Sequence, residues 1–150
     1  MDKPTDAVEY EMMLMGRHSH MGASSKHASA GLDRSAYILL SRLSMQGPMS
    51  IGELSDAFGL NASTLNRQTA AMLAAGLVER LPDADGGMAR KFHVTEEGAR
   101  RLEEARTERV GNFGDLLAEW TPEEVADFVA HLKRFNTGIE RLDGRPWPRP

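Results

Sequence analysis

A run of hydrogen-bonding side chains lies near the middle of the chain, in a stretch from residue 61 to residue 76 that contains no carboxylate. Arginine can pair with guanine, asparagine or glutamine with adenine, and serine or threonine with bases or backbone. A surface that faces phosphates should lack acids, whereas a solvated helix usually mixes both signs. The pattern therefore indicates nucleic-acid recognition, although a polar surface helix packed on its neighbour also fits it. The side chains in question are Ser63, Thr64, Asn66, Arg67 and Gln68.

The segment that must position these side chains is predicted to form two short helices joined by a tight turn. Ser50 and Glu53 have the spacing of a capping box at the start of the first helix. Gly59 suits its end, because glycine adopts positive φ without steric cost. Leu60 is expected to be the buried plug of the turn, and Asn61 can cap the second helix. The pattern is that of a helix-turn-helix, whose second helix presents its first turns to the major groove.

A β-wing is predicted directly after this second helix. Residues 77–81 and 90–94 have strand character, and the Asp85-Gly86-Gly87 sequence between them has the turn chemistry of a hairpin. Wings usually contact the DNA backbone or the minor groove beside the recognition helix. Arg90 and Lys91 are the cations available for that contact.

Helices are predicted on both sides of the helix-turn-helix. The first covers about residues 4–21, with Thr5 or Asp6 as its cap, and Asp33 caps a second that reaches about residue 45. Thr95 caps a long helix that reaches about residue 120. The last helix starts with a strong signal at 121–124, an N-cap, a proline and a capping-box glutamate. No internal repeat is present.

The terminal helices carry more apolar surface than a small winged helix needs, and exposed stripes of that size mark interfaces. A two-fold dimer would place two recognition helices about one DNA turn apart, roughly 34–36 Å, and would therefore read a pseudo-palindrome.

Composition places limits on the function. The chain of 150 residues suits one domain, and the net charge of −4 argues mildly against DNA binding, although arginines cluster around the predicted recognition helix. Cysteine is absent, which excludes disulfides, cysteine-ligated zinc and thiol redox sensing. No apolar run is long enough for a bilayer span and no signal-peptide core is present, so a cytoplasmic location is expected. No catalytic motif is present, and we expect no enzyme activity.

The order of these elements resembles that of the MarR family of winged-helix transcription regulators over about residues 7–139. The matching segments are PMSIGELSDAFGLNASTLNRQTAAMLAAGLVERLPD and VTEEG. The resemblance implies a homodimer with interlocked first and last helices. It also implies a cleft between the dimerisation and DNA-binding parts, where small, often aromatic ligands bind and weaken DNA affinity. The family's wing tip usually carries an arginine, but Gly86, Gly87 and Met88 stand there, which leaves Arg90 as the candidate replacement.

Because the end of the first helix borders that cleft in the family, Arg17, His18 and Tyr37 are candidate effector contacts. His18 and His20 point to different helix faces, as i and i+2 neighbours do, so neither a metal site nor a cofactor is expected there or at His27.

The sequence thus predicts a mainly α (α+β) fold, a winged helix-turn-helix with a two-stranded wing, in a single domain covering residues 1–150. Dimerisation helices are expected at about 5–24 and 96–140, the winged helix-turn-helix at about 33–95 and an irregular tail at 143–150. The predicted function is that of a double-stranded DNA-binding regulator, a repressor of pseudo-palindromic operators relieved by a small aromatic ligand. The predicted DNA contacts are Ser50, Asn61, Ser63, Thr64, Asn66, Arg67, Gln68, Arg90 and Lys91.

Two alternatives stay open at the level of sequence. The negative charge and the arginine-free wing tip would suit a winged-helix protein-interaction module that does not bind DNA. A metal- or ligand-binding sensor that acts without DNA is the other.

Overall fold

The computed structural model describes residues 1–18, 32–82 and 90–150. Within these ranges the chain forms six helices and three strands. In chain order they are α1 (Thr5–Arg17), α2 (Arg34–Gln46), β1 (Met49–Ser50), α3 (Ile51–Phe58), α4 (Ala62–Ala74), β2 (Val78–Pro82), β3 (Arg90–Val94), α5 (Glu96–Leu116) and α6 (Pro122–Asp143).

Local capping interactions set most of the helix starts. Asp33, Asn61 and Thr95 each accept a hydrogen bond from a backbone N–H of the first turn that follows, as the sequence predicts. Complete capping boxes begin α3 at Ser50 and α6 at Thr121.

The boundaries of two helices differ from the prediction. The helix α1 begins after Pro4 with no side-chain cap, so the expected capping by Thr5 or Asp6 is wrong, and it ends at Arg17. Its predicted extension toward residue 24 falls mostly on 19–31, outside the described residues. The helix α5 ends at Leu116, four residues before the predicted end, and the chain becomes extended at Thr121, where the following proline disfavours helical backbone.

The sheet has one strand more than the predicted two-stranded wing. Its order is β1-β3-β2, and both pairings are antiparallel, with Met49 opposite Phe92 and Val78 opposite Val94. The strand β2 starts one residue later than predicted because the Leu77 N–H bonds outside the sheet, although its carbonyl still faces Thr95. The Leu77 N–H donates to the Met72 carbonyl at the end of α4, and the Leu77 carbonyl accepts from the N–H of Thr95.

The core lies inside the winged helix-turn-helix. Leu40, Leu54 and Leu65 have no exposed area, and they pack with side chains from the sheet and from the first half of α5. Gly98 brings α5 against the core at very short range, since a Cβ there would lie 2.1 Å from the Leu77 carbonyl oxygen. The helix-turn-helix is therefore a closed unit within one chain.

Leu60 does not fill the turn between α3 and α4 as predicted. Its side chain is 39% exposed. A hydrogen bond closes the turn instead, because the Ser55 hydroxyl donates to the Leu60 carbonyl at 2.6 Å, while Gly59 ends α3 with φ of +65°.

The helices α1 and α6 contain no buried residue in the single chain. Their exposed apolar side chains include Val8, Tyr10, Met12, Met13, Met15, Phe128, Val129, Leu132, Phe135 and Ile139. The C-terminal tail is irregular after Gly144, as predicted, but it folds back against α6, α3 and α2.

Candidate nucleic-acid interface

The recognition helix α4 has two distinct sides. Leu65, Thr69 and Met72 are buried against the domain, and the Thr69 hydroxyl donates to the Leu65 carbonyl at 2.7 Å. Asn66 and Arg67 are exposed on the other side, so these two of the predicted contacts face solvent. Within the described ranges no carboxylate lies within ion-pair distance of Arg67, which leaves its guanidinium available to an incoming partner.

The first turn of α4 is tied together by its cap. The Asn61 side-chain oxygen accepts from the Thr64 N–H at 2.9 Å and from the Ser63 hydroxyl at 2.7 Å. Two of the predicted contacts, Asn61 and Ser63, therefore hold the helix start in place. Thr64 and Gln68 are half-buried beside Arg67.

The two predicted wing cations have different surroundings. Lys91 Nζ lies 3.3 Å from a carboxylate oxygen of Glu53, the residue that also completes the capping box of α3. Partial burial opposes ionisation of Glu53, but hydrogen bonds from Ser50 and Lys91 outweigh it and lower the pKa of that carboxyl. The charge of Lys91 is thus partly neutralised, whereas the side chain of Arg90 is exposed and no ion pair joins it to another described residue.

A cleft of about 410 Å³ lies between the start of α3 and the sheet. It brings together residues that are far apart in sequence, among them Ser50, Asn66 and Arg90 from the predicted set. Arg80 is a lining residue that the predicted set lacks, and its guanidinium lies 5.5 Å from the Phe92 ring centre. Arg80 follows the predicted recognition helix closely in sequence and is one of the arginines that cluster around it, which was the signal available for it. Two arginines beside the positive end of a helix suit a phosphate group.

The candidate effector residues lie in two places. Arg17 and His18 are exposed at the end of α1, whereas Tyr37 is half-buried on α2. The Arg109 guanidinium of α5 covers the Tyr37 ring at 3.7 Å from its centre. Nε and Nη2 of Arg109 are buried and have no hydrogen-bond partner among the described residues, an arrangement that calls for an acceptor. No feature of the sequence distinguishes Arg109 from the other charged residues of α5.

Metal sites and membrane spans are both absent from the described part of the chain. No group of three or more histidine and acidic side chains there could hold a metal ion, and His20 and His27 lie outside it. No helix in the same ranges is long and apolar enough to cross a membrane.

Comparison with known proteins extends these observations. The sequence profile of the MarR family matches residues 30–87. The chain is 33% identical over 133 residues to the uncharacterized HTH-type transcriptional regulator YxaD of Bacillus subtilis, and the match covers 89% of this chain and 93% of that protein. The regulator YsmB of the same organism is 33% identical over 95 residues, which is 63% of this chain and 65% of YsmB.

Solved structures of the family share the fold. A MarR family protein from Bacillus stearothermophilus aligns with a TM-score of 0.74 at 21% identity, and the alignment covers 93% of this chain and 99% of that one. Wild-type MarR from E. coli in its apo form aligns with a TM-score of 0.70 at 17% identity, over 90% and 98% of the two chains. These matches confirm the predicted resemblance. The family's members regulate transcription and are not enzymes, as the sequence predicts for this chain. With a relative of this similarity along nearly its whole length, the chain belongs to the MarR family of transcriptional regulators.

Proposed function

We propose that this regulator is a repressor that binds pseudo-palindromic DNA operators as a homodimer and is released by a small anionic aromatic ligand. The observation that carries the proposal is the exposed, acid-free side of α4, where Arg67 has no acidic partner among the described residues. Family membership supports DNA-binding regulation by dimers as the general role. The operator type, the repressor role and the ligand are the specific content of the proposal.

In the proposed complex, α4 enters the major groove with Asn66 and Arg67 toward the base edges. Arg67 would pair with a guanine and Asn66 with an adenine, since these are the bidentate pairings that their side chains allow. Gln68 and Thr64 are partly covered and would contact bases or phosphates at the edge of the same surface.

The cleft beside α3 would hold a backbone phosphate. Arg80 and Arg90 supply positive charge to the cleft. The first backbone N–H groups of α3 lie at the N-terminal end of that helix, where a negative group is favoured. Lys91 would contribute less than Arg90, because Glu53 already neutralises part of its charge. This difference adds a physical reason for the preference for Arg90, which the sequence had singled out as the candidate replacement for the wing-tip arginine.

Dimerisation would cover the apolar sides of α1 and α6. Neither helix buries a residue within the chain, and exposed apolar patches of this extent mark protein interfaces. A two-fold axis through these helices would hold the two recognition helices roughly 34–36 Å apart on one side of the duplex.

The effector is proposed to bind at the junction of α2 and α5. The Nε and Nη2 groups of Arg109 would donate hydrogen bonds to a carboxylate, and the adjacent Tyr37 ring would pack against an aromatic body. A benzoic or phenolic acid has both features. Because α2 belongs to the DNA-binding unit and α5 extends toward the terminal helices, such a ligand could alter their relative positions.

The DNA-binding part is tested by selecting bound fragments from random DNA and comparing Arg67→Ala with wild type on the selected operator. Loss of a guanine contact should weaken binding by about 1–3 kcal/mol, while the exposed Arg134→Ala on α6 serves as the control. Wild-type binding should also weaken steeply as salt rises, since phosphate contacts release counterions. Equal affinity of Arg67→Ala and wild type would remove the assignment, and salt-insensitive binding to a protein instead of DNA would favour the interaction-module alternative.

The effector part is tested by thermal unfolding in the presence of a panel of benzoic and phenolic acids. A ligand that binds the folded protein raises its melting temperature with concentration. The rise should disappear in Arg109→Leu, which keeps an apolar cover on Tyr37 but cannot bind the carboxylate. An equal rise in wild type and variant would place the ligand elsewhere.

A further inference from the structure

The last residues of the chain connect two parts of the molecule. The helix α6 ends at Gly144, which has φ of +71°, and the chain then reverses direction. Residues 145–149 run back along the end of α6 and reach α3 and α2 of the helix-turn-helix. We call this segment the C-terminal strap.

Two carboxylates of α6 hold the strap: Asp143 accepts the Arg145 backbone N–H at 2.9 Å, and Glu140 makes the larger set of contacts. Glu140 accepts the Trp147 backbone N–H at 3.3 Å, and both of its oxygens pair with the Arg149 guanidinium, one of them at 3.0 Å. A two-pronged arginine–carboxylate contact fixes orientation as well as distance. The strap therefore leaves α6 in a defined direction.

The other anchor lies on the helix-turn-helix and is built around Trp147. Its ring meets the Phe58 ring edge to face, with centres 5.1 Å apart and an angle of 87° between the planes. The guanidinium of Arg42, a residue that is only 7% exposed, covers the same indole at 4.5 Å from its centre. Trp147 is thus held between the end of α3 and the middle of α2.

A third contact joins the strap to the turn of the helix-turn-helix. The Arg145 guanidinium lies against Gly59, close enough that a Cβ on that glycine would be 2.8 Å from the Arg145 Cζ atom. Gly59 is the residue that ends α3, and a cation at the carboxyl end of a helix is favoured by the helix dipole.

We propose that the C-terminal strap fixes the orientation of the helix-turn-helix relative to α6, through Trp147 between Phe58 and Arg42 and Arg149 on Glu140. The orientation matters because α6 carries an unpaired apolar surface and α4 carries the exposed polar one. In a dimer joined through the terminal helices, the angle between α6 and α4 sets the separation of the two recognition helices. The strap would preorganise that separation, which strengthens binding by removing a cost of ordering.

The test is a distance measurement within one chain, and the lack of cysteine makes site-specific labelling direct. Spin labels are attached to Ala74→Cys on α4 and Lys133→Cys on α6, both exposed positions, and labelled protein is diluted with unlabelled protein. Dipolar spin resonance then gives the distribution of the α4–α6 distance. Trp147→Ala should broaden this distribution, while Trp147→Phe, which keeps an aromatic edge for Phe58, should leave it close to that of the parent.

Trp120→Ala is the matched control, because it removes the same side chain from another edge-to-face pair, with Phe128 at 5.3 Å, away from the strap. It should leave the α4–α6 distance distribution unchanged. A Trp147→Ala distribution as narrow as that of the parent, in a protein with unchanged circular dichroism, would overturn the proposal. If Trp147→Ala does not fold, Arg149→Ala releases the other anchor from an exposed position and should broaden the distribution in the same way; a narrow distribution there overturns the proposal equally.

The measurement contains no DNA, so its outcome does not depend on the proposed function. If an operator is found, Trp147→Ala should lower affinity for it by about two- to tenfold, the range expected for the loss of an aromatic pair. Unchanged distances with operator binding intact would refute the strap alone. Broadened distances without any operator binding would support the strap and refute the repressor.

Discussion

The winged helix-turn-helix buries its large apolar side chains, whereas the terminal helices leave theirs exposed. In the first region Leu54 and Leu65 have no exposed area, and short caps and a small sheet close the structure within one chain. In the second, α1 and α6 bury no residue, and side chains as large as Phe128 and Phe135 are at least 40% exposed.

The contrast indicates that the winged helix-turn-helix is complete within one chain, whereas the terminal helices need a second chain to cover their apolar sides. The polar surface of α4 is positioned by a unit whose core is complete within one chain, so a single chain sets the arrangement of that surface. The distance between two such surfaces depends on how the terminal helices are covered. The four predictions below test this contrast, from the largest expected effect to the smallest.

Leu65→Ala should destabilise the chain most, by about 2–5 kcal/mol, because it leaves a cavity beneath the recognition helix. The loss should be independent of protein concentration, since the contacts are made within one chain. Denaturant unfolding at two protein concentrations measures both properties. A loss below that range, or one that grows on dilution, would mean that the core of the helix-turn-helix is not complete in the monomer.

Leu132→Ala makes the same chemical change on α6, where the leucine is 38% exposed in the single chain. If a second copy covers it, the loss should be about 1.5–3 kcal/mol per chain and should appear as weaker association on dilution. Sedimentation at decreasing concentration gives that value. A loss within 0.5 kcal/mol, roughly the usual range for a surface substitution, would show that this side of α6 stays in solvent.

Gly59 lies where the helix-turn-helix meets the C-terminal strap, and Gly59→Ala tests that contact. A side chain in left-handed backbone costs about 1–2 kcal/mol, and here the added Cβ must also displace the Arg145 guanidinium. Gly76→Ala is the control, because it has a similar φ of +73° and its Cβ would meet nothing within 4 Å. Unfolding measurements should therefore show a larger loss for Gly59→Ala, and removal of the Arg145 side chain should reduce the difference. Equal losses would mean that the Arg145 guanidinium moves away from Gly59 without a measurable cost.

Much of the first region could be predicted from the sequence, because its signals are local. A capping box such as that of Ser50 and Glu53 spans four residues, and the Gly59 and Asn61 signals that bound the turn are also short-range. The same locality explains the errors. The two-residue strand β1 exists only through its pairing with Phe92 and Lys91, and Leu60 is exposed because a hydroxyl–carbonyl bond closes the turn instead.

The features of the site and of the second region that the sequence did not predict are contacts between residues far apart in the chain. Lys91 counts as a free cation in the sequence, but folding brings it to Glu53. Arg109 is one of several charged residues on α5 until it covers Tyr37. Trp147 reads as part of an irregular tail, although it packs on Phe58. No short pattern encodes such pairs, so they require the fold.

The smallest effect should be the release of the strap by acid. The hydrogen bond from Arg149, opposed by desolvation and helped by the Trp147 N–H, lowers the pKa of Glu140 below its ordinary value. A carboxyl whose folded pKa is lowered stabilises the fold above its unfolded pKa, and that contribution disappears as pH falls through the folded value. The anchor should therefore hold at neutral pH and loosen only below about pH 4.3, the usual value for glutamate.

Fluorescence of Trp147 in a Trp120→Phe background reports this change, and Glu140→Gln should remove it while leaving the acid unfolding of the helix-turn-helix in place. If the Trp147 signal follows global unfolding in both proteins at every pH, the strap is no separate element and the two regions are joined by the core alone.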